Sequence, residues 1–186
     1  VSPSASGSYD AASGVYTLTG TAAEVTAAVR ALVFTPRRDA LDPGSTETTR
    51  FTLRTTDASG ASVADTTGTV VTTSINDAPT VGGAVAGQVV TDKTTLSPFG
   101  SFTVGDADGT QDQAVTVTLS GGDAHGAFTA ASLAASGFTK TGSGAYALSA
   151  TSAAAAQAAL RQLVFQPTDN EVDPGLTVTT TFTVSV

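Results

Sequence analysis

Short runs of alternating apolar and polar residues, separated by glycine-containing breaks, recur along this chain. Val115-Thr116-Val117-Thr118-Leu119 alternates, as does the run from Val178 through Phe182 to Val184. Phe51-Thr52-Leu53 and Phe102-Thr103-Val104 read the same way, so the pattern predicts many short strands. A period of two puts Val115, Val117 and Leu119 on one face, which a sandwich of two sheets would bury. Ser59-Gly60, Gly82-Gly83, Gly121-Gly122 and Asp173-Pro174-Gly175 supply turn chemistry between the runs. Two alanine-rich segments depart from the alternation. In residues 21–32, Val25, Val29 and Leu32 have helical spacing, and Thr21 with Glu24 has the spacing of a capping box. Residues 152–163 keep Leu160 and Leu163. Each predicts a short helix feeding a Leu-Val-Phe strand, the other reading being an irregular alanine-rich loop.

The chain also repeats itself. Ser13-Gly14-Val15-Tyr16 returns as Ser143-Gly144-Ala145-Tyr146, and Leu32-Val33-Phe34 with Pro36 returns as Leu163-Val164-Phe165 with Pro167. Asp42-Pro43-Gly44 and Phe51-Thr52 return as Asp173-Pro174-Gly175 and Phe182-Thr183. The offset is 130 between Tyr16 and Tyr146 and 131 between Phe34 and Phe165, so one residue is gained in between. A period this long is a domain, and tandem domains point to reach or multivalency rather than chemistry. The frame does not close: residues 1–55 match about 131–186, and the middle occurs once. The first unit lacks counterparts of the strands around Phe102 and Val115, and the second stops before the equivalent of residues 57–73. We therefore divide the chain into the C-terminal part of one unit (1–75), a linker (76–80) and a second unit lacking its last strand (81–186). Half a sandwich exposes an apolar face and unpaired edges. The chain is then a window on a longer array, or strands from other copies complete each unit.

Composition narrows the class. Of 186 residues 40% are hydrophobic and 13% charged, and Thr, Val and Gly favour an all-β fold. A net charge of −8 argues against nucleic acid or an anionic membrane surface as partner and suits divalent cations. With no cysteine, neither disulfides nor thiolate chemistry is available. No run is long and apolar enough for a membrane helix, and the start at Val1 reads as a mature or excised piece.

Read together, Leu41-Asp42-Pro43-Gly44, Phe51 through Asp57 to Gly60, Thr69-Val70-Val71-Thr72 and Asn76-Asp77-Ala78-Pro79 resemble the C-terminal half of a cadherin-type repeat. Val104-Gly105-Asp106-Ala107-Asp108 resembles the acidic pair early in the next repeat. The phrase Gly20-Thr21-Ala22-Ala23-Glu24, continued by Leu32-Val33-Phe34-Thr35-Pro36, is similar to bacterial cadherin-like repeats of long adhesins and other large secreted proteins. The resemblance implies tandem cadherin-like (Ig-like) β-sandwich units, each with a short helix, and calcium bound between successive repeats. Carried over by residue, it implicates Asp42, Asp57, Asn76, Asp77, Asp106 and Asp108 as metal ligands. Calcium takes six to eight hard oxygens, and carboxylates crowded at a hinge repel one another until a cation binds. The chain departs from the animal family at Ser74, Ala78 and Gly44, where acids are expected, although Glu47 could stand in for the last.

Other candidates carry less. Asp106-Ala107-Asp108-Gly109-Thr110-Gln111-Asp112 begins like an EF-hand loop, but Gln111 stands where that loop needs Gly and Val117 where it needs Glu. His125, with Asp123 nearby, reads as a solvated hairpin tip, since catalysis needs a nucleophile, a base and an orienting group together. Asp169, Glu171 and Asp173 form a second acidic loop, half of a next inter-repeat site or an exposed polar loop. Arg37-Arg38 is too small a basic patch for nucleic acid, and the matched Tyr16 and Tyr146 suggest core packing. The expectation is a non-enzymatic module of a bacterial cell surface, extracellular and calcium-stiffened, spacing or adhering. Its partners would be neighbouring repeats or copies of itself, or a surface protein or glycan, with no membrane insertion. The alternative is a subunit of a surface filament or layer assembled by strand complementation between copies; an accessory domain of a secreted enzyme is a third class.

Overall fold

The computed structural model describes residues 7–109 and 111–186. It is β-rich, with several small antiparallel sheets and three short helices. By compactness the chain divides into two units: one runs up to Ala40 and includes Glu47–Thr72, and the other comprises Leu41–Thr46 and Thr73–Val186.

In the first unit β1 (Ser8–Asp10) and β2 (Val15–Thr17) form a hairpin with Tyr9 opposite Tyr16. Its turn is held by the Asp10 carboxylate, which accepts the Ala12 N–H at 3.0 Å and the Ser13 hydroxyl at 2.6 Å. The alanine-rich segment folds as α1 (Ala22–Arg30), and the predicted capping box is present. Thr21 Oγ1 accepts the Glu24 N–H, and Glu24 Oε2 accepts the Thr21 N–H at 2.8 Å, so two donors of the first turn are satisfied reciprocally. β3 (Thr46–Thr56) then pairs with β4 (Ser62–Thr73) through a connection too short for anything but an antiparallel hairpin. Among the described residues of this unit, Ala28 alone is a buried apolar side chain.

The second unit holds the core. β5 (Thr80–Gly82) pairs with β6 (Thr103–Gly105), and β7 (Asp112–Leu119) follows. Next come β8 (Gly126–Phe128), α2 (Ala130–Ser136), β9 (Thr139–Gly142) and β10 (Ala145–Ser152). α3 (Ala153–Arg161), β11 (Phe165–Pro167) and β12 (Phe182–Ser185) complete it. The main sheet has the order β12-β7-β10-β9, and β8 pairs with β11. β7 is buried at every second residue, so Val115, Val117 and Leu119 face the core as their alternation predicts. Val117 lies opposite both Tyr146 of β10 and Val184 of β12. Leu160 and Leu163 from the α3 segment and Phe99, Phe128, Phe138 and Phe165 fill the rest.

The structure locates the residue gained between repeats. α1 and α3 are 131 residues apart at both ends and are capped at matched positions, Thr21 and Ser152. The tyrosines are 130 apart, and between them and the helix β10 carries a register irregularity at Leu148–Thr151. A bulge absorbs one extra residue without turning the flanking side chains over.

Two expectations are corrected. The second unit has two helices, not one: Thr129 caps α2 through the Ser132 N–H at 3.2 Å, and Gly137 at φ 78° closes it. Its one long apolar residue, Leu133, gives no period to read. The strand expected from Val178 begins at Phe182, because among the described residues only β7 pairs with it.

Leu160 is fully buried, so Leu160→Ala should cost about 2–5 kcal/mol. Val29→Ala, at the matched but half-buried position of α1, should cost about 1 kcal/mol or less. Urea unfolding of both variants followed by circular dichroism checks the contrast.

Candidate functional site

The antiparallel pairing of β5 with β6 sets Thr80 opposite Gly105. Residues just before β5 and just after β6 therefore meet at one end of the pair. Three residues out on each side stand Asp77 and Asp108, and the Asp77 N–H donates to Asp108 Oδ2 at 2.7 Å. Asp108 is 3% exposed. Its own N–H donates to Asp106 Oδ1 at 2.9 Å, an Asx turn that Gly109 continues at φ 55°. Asp106 Oδ2 accepts Gln113 Nε2 at 2.6 Å. Asn76 Oδ1 accepts Gln111 Nε2 at 2.6 Å, and Asn76 Nδ2 donates to the Asp77 carbonyl at 2.9 Å.

Four of the six expected ligands, Asn76, Asp77, Asp106 and Asp108, thus share one network. Asp42 lies exposed in the Leu41–Thr46 segment, which is tied to Ser74 by the Gly44 N–H at 2.9 Å and by Ser74 Oγ on the Leu41 carbonyl. Asp57 stands at the tip of the β3–β4 hairpin, where Oδ1 accepts the Ser59 and Ala61 N–H groups at 2.9 Å. The whole of β3, roughly 36 Å of extended chain, separates it from the hairpin's open end. Glu47 faces Arg37 at 4.0 Å, both exposed.

A carboxylate oxygen of Asp77 lies within 4.8 Å of one of Asp108. Two like charges at that distance repel by about 1 kcal/mol in water and about 3.5 kcal/mol at an effective dielectric near 20. A divalent cation would reverse the sign, and the carboxylates of Asp77, Asp106 and Asp108 with the Asn76 amide oxygen are the hard donors calcium prefers. Gln111 and Gln113 are the members that motif reading missed. Gln113 is 6% exposed and lies on the face of Val115 and Val117. Carrying the alternation of β7 back by two residues marks it as a buried amide in need of a partner.

His125 is not a solvated loop residue. Its Nδ1 meets Glu171 Oε1, and both side chains are largely buried, at 27% and 19% exposure. The Thr168 hydroxyl donates to the Ala124 carbonyl at 2.8 Å, tying the β7–β8 loop to the segment after β11. Asp123, in the same loop, accepts Lys140 Nζ at 2.7 Å and the Gly144 N–H at 2.9 Å. The second acidic loop is likewise engaged: Asp169 pairs with Lys93, and the Asn170 N–H donates to Asp92 at 3.1 Å. Among the described residues no helix is long and apolar enough to cross a membrane.

No protein-family model matches the chain, and neither a curated protein nor a solved structure matches it at a significant level.

The Lys140 ammonium, then the Gly144 N–H, hold the Asp123 carboxyl below its ordinary value of 3.8, and Lys93 does the same for Asp169. A lowered folded-state pKa stabilises above the unfolded value, and that stability is lost as pH falls through the folded one. Asp123→Asn should therefore be less stable than the parent at neutral pH. The difference should shrink as pH drops below 3.8, as read from thermal melts across an acid series.

Proposed function

We propose that this chain is a non-enzymatic, extracellular structural or adhesive module: tandem cadherin-like β-sandwich units, stiffened by calcium, within a large bacterial surface protein. The observation that carries the proposal is the recurrence of one frame, a hairpin, a capped helix and the phrase Leu-Val-Phe after it, at an offset of 130 to 131 residues; the phrase leads into β11 in the second unit, whereas Leu32-Val33-Phe34 forms no strand in the first. Repetition of a whole unit multiplies length and valency. The sandwich reading is supported by the aromatic core beneath the four-stranded sheet, which Phe128 of β8 and Phe165 of β11 help to close. The calcium reading is supported by the network of Asn76, Asp77, Asp106 and Asp108 at the entry to the second unit. Its partners are neighbouring repeats, with a surface protein or glycan as the adhesive target.

Calcium that binds the folded state and not the unfolded one raises stability by mass action. At calcium a hundredfold above its Kd the gain is about 2.7 kcal/mol. The melting temperature should rise on adding calcium and fall with chelator. Asp106→Ala combined with Asp108→Ala should remove the response. A parent protein indifferent to calcium would leave these acids as turn and loop residues.

A further inference from the structure

At the entry to the second unit, four N–H groups of the chain itself hold the oxygens that a cation would take. The Asp77 N–H donates to Asp108 Oδ2, and the Asp108 N–H donates to Asp106 Oδ1. Gln113 Nε2 donates to Asp106 Oδ2 and Gln111 Nε2 to Asn76 Oδ1, each at 2.6 Å. Two further links close a ring. Gln113 Nε2 also reaches the Gln111 carbonyl at 3.4 Å, and Asn76 Nδ2 reaches the Asp77 carbonyl at 2.9 Å. Asn76, Asp77, Asp106, Asp108, Gln111 and Gln113 are thereby joined in one circuit.

The two glutamines stand apart from the other members. They carry no charge, and they donate through side chains, so each can be replaced without altering an acid or the backbone. β7 fixes Gln113: it lies on the inward face, two residues before Val115, and is 6% exposed. A buried amide at the end of an apolar stripe needs a partner, and Asp106 is the one it finds. Gln111 is half-buried, one residue before the strand begins. A nitrogen 2.6 Å from an oxygen fills the place of calcium, which binds its oxygens at about 2.3–2.6 Å. The partial positive charge of an N–H also offsets repulsion between carboxylates, as a cation does more strongly. Among the described residues neither Asp77 nor Asp106 is paired with a lysine or arginine. Neutral amides supply that compensation.

We propose that Gln111 and Gln113 are built-in stand-ins for the cation. They hold Asn76 and Asp106 when no ion is bound, and they give way when one binds. The site is then ordered before calcium arrives, and its affinity is set by how firmly two amides hold two of its oxygens. This role rests on the calcium reading of the same site for the identity of the ion. A bond present only in the ion-free protein leaves a definite thermodynamic mark. Its removal lowers stability without calcium, leaves stability at saturating calcium unchanged, and returns the difference as tighter binding. Removing a glutamine that merely supported the ligands would weaken binding instead.

The test compares the intact 186-residue protein with its variants Gln113→Leu, Gln111→Ala and Gln113→Glu. Melting is followed in chelator and in excess calcium, and calcium binding is measured by titration calorimetry. Gln113→Leu should melt below the parent in chelator, match it in excess calcium, and bind calcium about tenfold more tightly. Gln111→Ala should shift the same way to a smaller extent, and it carries the comparison if Gln113→Leu does not fold. Gln113→Glu keeps the shape but sets a second carboxylate against Asp106. It should be the least stable of the set in chelator and the most strongly rescued by calcium. A parent that binds calcium, with Gln113→Leu binding it no more tightly, overturns the stand-in role and leaves the calcium reading intact. A parent that ignores calcium beside glutamine variants that bind it overturns that reading of the parent and supports the stand-ins. If neither parent nor variants bind calcium, both fall.

Discussion

Everything in the second unit hangs on one strand. β7 is hydrogen-bonded on both edges, and its inward residues meet Tyr146 and Leu148 on one side and Phe182 and Val184 on the other. A strand in that position does two things that cannot be separated. It satisfies the backbone groups of both neighbours, and it supplies the apolar face on which the α3 segment and the phenylalanines pack. Among the described residues of the first unit, hairpins and a capped helix form from local chemistry, and Ala28 alone is a buried apolar side chain.

Partner strands also decide how far identical phrases extend. Residues 46–50 are strand because β4 lies beside them, whereas residues 177–181, which match them at the repeat offset, lie outside any sheet. Phe182–Ser185 is laddered on one side only. Local preference for the extended state is nearly equal in the two stretches, since both are rich in threonine. The difference is therefore tertiary.

That contrast explains what could be read from residues alone. The alternation in β7 is legible because one face is wholly buried, and the capping box of α1 is legible because it is a contact across three residues. The break after Thr73 and the turn at Asp57 follow from proline, glycine and aspartate chemistry in the same way. α2 was not legible, because alanine and serine carry no face and its cap became useful only once Phe138 had a core to enter. Nor was the pairing of His125 with Glu171, whose 46-residue separation is closed by β8 lying against β11. Of the acidic residues, those three positions outside a short antiparallel pair were brought together by its register. Asp57, carried by a motif resemblance, was instead taken up by its own turn.

The network around Asp108 is positioned by β5 and β6 and anchored to β7 through Gln113, so it inherits the rigidity of the completed unit. A buried carboxylate accepting backbone N–H bonds fixes a loop in one conformation whether or not a cation is present. Any cation would add to a geometry already formed, and would act chiefly on the repulsion between Asp77 and Asp108. The order of dependence runs from strand to network to ion.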